Sequence, residues 1–181
     1  FFKEALKLEP ANIKNALLFS NLGTIQRRIG KKKEALEAYS LALNLTPYSI
    51  TILLNRASLY LEMDMLDKAY LDYCNVIDLD AKNKEALQFR AYVYMRRRQY
   101  MEARLDYQRL LAEEPGNKTA RVGIAMVNQK DKRYREALEE LNRLITDYPR
   151  DVSLLKARAE LEVEMNSLEL ALLDLEEAVR I

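Results

Sequence analysis

Histidine and tryptophan are both absent from this chain, and cysteine occurs once, at Cys74. Without histidine there is no Ser-His-Asp or Cys-His arrangement, and the commonest metal ligand is gone. One cysteine allows no internal disulfide. That fits a reducing compartment without requiring one, and Cys74 reads as a small packed hydrophobe. The four glycines, Gly23, Gly30, Gly116 and Gly123, are scattered, so no phosphate-cradling loop exists. No apolar run approaches the length of a membrane-spanning helix. The 29 basic and 28 acidic residues leave a net charge of +1, too little for a general attraction to polyanions. Neighbouring carboxylates such as Glu139 and Glu140, or Glu176 and Glu177, sit among other charges and read as solvated faces. The expectation is a non-catalytic chain with no cofactor and no metal centre.

What the chain does have is a period. Ala35, Ala69, Ala103, Ala137 and Ala171 each follow the last by 34 residues. Bulky residues follow four positions later at Tyr39, Tyr73, Tyr107, Leu141 and Leu175. Small ones precede by twelve at Gly23, Ala57, Ala91, Ala125 and Ala159, and Pro47, Pro115 and Pro149 follow by twelve. Apolar residues at three and four spacing make amphipathic helices, as in Ala35, Leu36, Tyr39, Ala42 and Leu43. Ser49, Asn83, Asn117 and Asp151 stand where helices start, with Asn15 at the matching place in the first repeat. Each could satisfy orphan backbone N–H groups, a contribution of about 1 kcal/mol.

This pattern resembles the tetratricopeptide repeat (TPR), a 34-residue helix–turn–helix. Phe19, Leu22, Gly23, Ala35, Tyr39 and Pro47 carry the likeness best. Gln26 departs from it, where Tyr60 and Tyr94 supply the expected aromatic. The resemblance implies an all-α, right-handed superhelical solenoid of antiparallel helix pairs, A then B in each repeat, because one pair cannot bury its apolar face alone. A single domain over residues 1–181 is expected. It comprises a partial repeat (1–12, helix B only), full repeats at 16–49, 50–83, 84–117 and 118–151, and a nearly complete one at 152–181. The three extra residues between Pro10 and Pro47 should lengthen the first helix A near Ile13. The start at Phe1 without methionine reads as a fragment, or as part of an assembly that covers Phe1 and Phe2; end-to-end self-association is one form of it. The compartment stays open.

Two further features keep the beat. Arg56, Arg90 and Arg158 share one slot, and Asp72, Asp106 and Asp174 follow each by 16 residues. Repeats with Leu22 or Ile124 in that slot carry Ala38 and Glu140 instead. This internal covariation points to a structural ion pair between helices A and B in three repeats. The A–B turns are basic: Arg27, Arg28, Lys31, Lys32 and Lys33 in the first, Arg96 to Arg98 in the third, Lys130, Lys132, Arg133 and Arg135 in the fourth. Glu62, Asp64 and Asp67 interrupt this series, so contact with nucleic acid or another acidic polymer is the lesser reading.

In the TPR family, helix A residues line a groove that takes a peptide or helix of a partner protein. Carried over, the groove comprises Thr24 and Arg27, then Leu54, Ser58 and Leu61. It continues through Gln88, Tyr92, Met95 and Arg96 to Val122, Met126 and Gln129. The carboxylate clamp of chaperone-binding members is not reproduced: Ser20, Thr24, Glu85 and Phe89 occupy its slots, and only Asn55 fits. The asparagine ladder of glycosyltransferase-linked members ends after Asn21 and Asn55. The expected function is a non-catalytic protein–protein interaction scaffold. The alternatives are an adaptor using the basic turns, or a regulatory arm of a larger enzyme.

Overall fold

A computed structural model describes residues 12–181. The expected lone helix B over Phe1 to Leu8 lies outside the described residues. Within them ten helices follow one another and no strand occurs. The A helices are α1 (Lys14–Arg28), α3 (Ile50–Glu62), α5 (Lys84–Arg96), α7 (Lys118–Lys130) and α9 (Val152–Glu164). The B helices are α2 (Lys32–Leu45), α4 (Leu66–Leu79), α6 (Tyr100–Glu113), α8 (Tyr134–Asp147) and α10 (Leu168–Arg180). Two compact units form, one ending at Arg90 and the other opening at Ala91, so the boundary falls inside α5.

In the first unit α1 packs on α2 and α3 on α4. The alanine of each B helix, Ala35 and Ala69, is fully buried, and so is Ala57 on helix A. These small side chains let the backbones approach, and Tyr39 and Tyr73 fill the space beside them. The Tyr73 ring also stacks on Phe89 at 5.9 Å. In the second unit α7 packs on α8 and α9 on α10. Ala125, Ala137, Leu141, Leu144, Leu154 and Leu161 form its apolar core. Each buried leucine there contributes about 1.5–3 kcal/mol.

Helix starts follow the sequence with one correction. Ser49, Asn117 and Asp151 accept backbone N–H groups at the N-termini of α3, α7 and α9. Asn83 does so from Ala86 at 3.0 Å. Asn15 does not. Helix α1 already begins at Lys14, two residues longer than the other A helices, and Asn15 is buried in its first turn. The extra residues move the start back, and the Asn12 side chain accepts the Lys14 N–H at 2.9 Å instead.

The A–B turns share a geometry that composition hides. Gly30, Asp64, Arg98, Lys132 and Asn166 all have positive φ, between 57° and 84°. They are again 34 residues apart. The residue after each donates its N–H to a carbonyl five positions back: Lys31 to Gln26, Met65 to Tyr60, Gln99 to Tyr94, Arg133 to Asn128 and Ser167 to Glu162. This is the left-handed helix terminus that satisfies orphan carbonyls. Glycine adopts it freely; a residue with a Cβ pays about 1–2 kcal/mol. The chain accepts that strain at Arg98 and Lys132 to turn sharply into helix B.

Candidate interaction groove

In the first unit two of the expected groove residues, Arg27 and Ser58, are bonded to each other, and a third, Thr24, is bonded to a core tyrosine. Thr24 on α1 shares a hydrogen bond of 2.9 Å with the Tyr39 hydroxyl. Arg27, one turn on, reaches across to α3: its guanidinium donates to Ser58 Oγ at 2.8 Å and to Glu62. The Arg27 hydrogen bond holds the Glu62 carboxyl below its usual pKa. Lys32 stands 3.9 Å from the same carboxylate. Glu62 therefore does more than interrupt the basic turns: it neutralises charge in the first of them. Leu54, Leu61 and Gln88 are half-buried in the same unit.

In the second unit Arg96 donates to the Tyr92 hydroxyl at 3.0 Å and lies over its ring. Met95 is half-buried. Val122, Met126 and Gln129 converge on one cleft of about 320 Å³ between α7 and α9. Ala125, Leu141, Leu154 and Ala157 complete its apolar wall, with Lys130, Ser153 and Glu160 at the edge. Met126 is 44 % exposed. The residues from α9 were missed in the sequence, although the same groove slots carried forward one repeat lead straight to Glu160.

The arginine–aspartate slots form forks. Arg56 donates to both oxygens of Asp72, each at 2.8 Å, and Asp72 is only 2 % exposed. Arg158 makes the same fork with Asp174 at 2.7 and 2.6 Å. Each arginine also reaches the preceding B helix, Arg56 to Ser40 at 3.3 Å and Arg158 to Asn142 at 3.0 Å. One guanidinium thus ties three helices. Arg90 makes the equivalent backward contact with Cys74 Sγ at 3.6 Å, so Cys74 is a hydrogen-bond acceptor as well as a packed hydrophobe. Arg90 belongs to the first unit and Asp106 to the second, and their pairing stands as a prediction. The fourth repeat, with Ile124 in the slot, uses another solution. Arg121, one turn earlier on α7, donates to Glu140 at 2.9 Å and to Asp147 at 2.6 Å.

Other features of the second unit bear on the basic turns. Asp131 pairs with Arg104 at 2.8 Å and Arg133 at 3.3 Å, which removes charge from the fourth turn. Lys118 pairs with Asp151, and this contact, with Ser153, lowers the Asp151 pKa to about 2. Burial pushes the Tyr107 hydroxyl up to about 12. Among the described residues no cluster of His, Cys, Asp and Glu could hold a metal ion, and no helix is long and apolar enough to cross a membrane.

Helices paired in a 34-residue register define an α-helical repeat protein. A family model described as tetratricopeptide repeat matches residues 94–161, and another of the same description matches 17–49 and 50–83. The crystal structure of a tetratricopeptide repeat protein from Parabacteroides merdae superposes with a TM-score of 0.91 at 38 % identity, covering 99 % of this chain and 70 % of that one. The chain belongs to the tetratricopeptide repeat family and has its solenoid fold. A Giardia intestinalis protein, UDP-N-acetylglucosamine--peptide N-acetylglucosaminyltransferase, is 40 % identical over 68 residues, 38 % of this chain and 5 % of that protein. The chain thus spans about a twentieth of that relative. YrrB, described as a TPR protein with an unusual peptide-binding site, shares the fold at 17 % identity and a TM-score of 0.74, covering 99 % of this chain and 91 % of that one.

Proposed function

We propose that this chain is a non-catalytic interaction scaffold that binds an extended peptide or helix of a partner protein along the inner faces of its A helices. One observation carries the reading: the open apolar cleft between α7 and α9, on which Val122, Met126 and Gln129 converge. At about 320 Å³ it lies at the small end of ligand sites, suited to one large side chain rather than a cofactor. A flexible, polarizable methionine at its mouth suits an adaptable contact. The peptide-binding site reported for YrrB is consistent with this use of the fold. The adaptor reading is weaker, because Glu62 and Asp131 offset charge in two of the three basic turns.

The test is selection of binding peptides from a random display library against the wild-type chain. Met126→Lys should weaken the selected peptides at least about tenfold by placing a charge at an apolar contact. Leu105→Lys, on an exposed position of helix α6, should leave them unchanged. Equal binding to the wild type and Met126→Lys would reject the cleft as the site.

A further inference from the structure

Two seams between successive A helices, α1–α3 in the first unit and α7–α9 in the second, use the same slots but are finished differently. Between α1 and α3, Arg27 lies across the seam with its guanidinium on Ser58 and Glu62. Three repeats later the same slots hold Gln129 in place of Arg27, Glu160 in place of Ser58 and Glu164 in place of Glu62. Gln129 reaches Glu164 through its amide at 2.6 Å. Its shorter, neutral side chain leaves the seam open as the cleft and brings no positive charge. Glu160 lines that cleft and takes part in none of the described ion pairs. Glu160 and Glu164 are one helical turn apart on one face of α9, where like charges repel. Lys130 and Glu160 are the two charged residues lining the cleft and offset one another, and Glu164, one turn beyond Glu160, adds a further negative charge beside it.

From this we infer that the partner segment supplies the missing arginine: an extended peptide places an apolar side chain in the α7–α9 cleft and a neighbouring arginine across Glu160 and Glu164, as Arg27 lies across Ser58 and Glu62. The inference rests on the groove reading above and specifies its ligand. Arginine suits the position better than lysine. A planar fork can engage two carboxylates at once and is weakly hydrated, so it loses less on leaving water. The apolar wall gives affinity, and the carboxylates give the choice of neighbour.

The experiment uses three capped hexapeptides of glycine and serine. The first carries one leucine followed by one arginine. In the second, neutral and isosteric citrulline replaces the arginine; in the third, alanine replaces the leucine. Binding is read by amide chemical shifts of the ¹⁵N-labelled chain at low salt. The citrulline peptide should bind about three- to fivefold more weakly, the size expected of a partly exposed ion pair. Glu160→Gln should weaken the arginine peptide equally and leave the citrulline peptide unchanged. Gln129→Arg should rebuild the Arg27 arrangement within the chain and weaken the arginine peptide at least about fivefold, without unfolding it. If citrulline and arginine peptides bind alike and Glu160→Gln changes neither, the arginine inference falls, while leucine-dependent shifts at Val122 and Met126 leave the groove reading standing. If no peptide shifts residues of the cleft, both fall.

Discussion

Replacing Gly123 by alanine tests the packing that sets the spacing of the helices. A Cβ built on Gly123 lies 2.3 Å from Tyr107 Cζ and 2.5 and 2.7 Å from the two Cε atoms. Carbon atoms prefer about 3.5–4.0 Å, so the ring would have to retreat by more than about 1 Å. Tyr107 is buried and has little room to do so. Gly23 supplies the control. A Cβ there meets Tyr39 ring carbons at 3.0 Å and the Ala35 carbonyl at 3.1 Å, a matter of tenths of an ångström. The four other repeats carry a buried alanine in that slot: Ala57, Ala91, Ala125 and Ala159. Both substitutions gain about 1 kcal/mol in helix propensity, so their difference isolates the clash. Overpacking costs about 1–3 kcal/mol, and Gly123→Ala should be less stable than Gly23→Ala by that amount. In a chain of this length, 1 kcal/mol moves Tm by about 2–4 °C. Thermal and urea unfolding followed by circular dichroism would read it. Adding Tyr107→Leu, which copies Leu141 in the next repeat, should recover part of the loss. Equal stability of the two alanine variants, or no recovery in the double variant, would refute the reasoning.

The other expectations concern charge. Glu162 is 5 % exposed, and burial, then the nearby Asp174 carboxylate, raises its pKa above the usual 4.5. The folded chain therefore holds this proton more tightly than the unfolded chain. The stabilisation is complete below about pH 4.5 and is lost as pH rises through the folded pKa. Glu162→Gln should raise the melting temperature at pH 7 and flatten its fall as pH rises above about 4.5; an unchanged slope would contradict this. Breaking the buried fork by Asp72→Ala should cost about 3–5 kcal/mol, mostly because Arg56 is left partly buried and unpaired. A double-mutant cycle on Arg56 and Asp72 should give coupling above about 1 kcal/mol, and one on Arg90 and Asp106 the same; coupling near zero in the second would remove Arg90 from the set of forks.

The repeat could be read from the chain because each of its devices uses a residue type that little else can replace. A buried alanine permits close helix approach, a bulky tyrosine or leucine four residues on fills the gap, and asparagine, serine or aspartate caps the next helix. Internal comparison added the arginine slots, since residues 16 apart changed together. Three matters depended on the third dimension. The left-handed turn at Arg98 and Lys132 was hidden because neither is a residue type that advertises it, as Gly30, and less strongly Asp64 and Asn166, do. Arg121 replaced the missing fork of the fourth repeat from one turn away, where a fixed offset could not find it. The α1–α3 and α7–α9 seams looked equivalent in register, and only the folded side chains showed Arg27 lying across the first while Gln129 borders a cleft in the second. The sequence alone determined helix period, pairing and every cap but the first, because these are set by neighbours within a turn or one repeat. Tertiary structure decided where the open surface lies, because that depends on the length and charge of side chains meeting across helices about 35 residues apart.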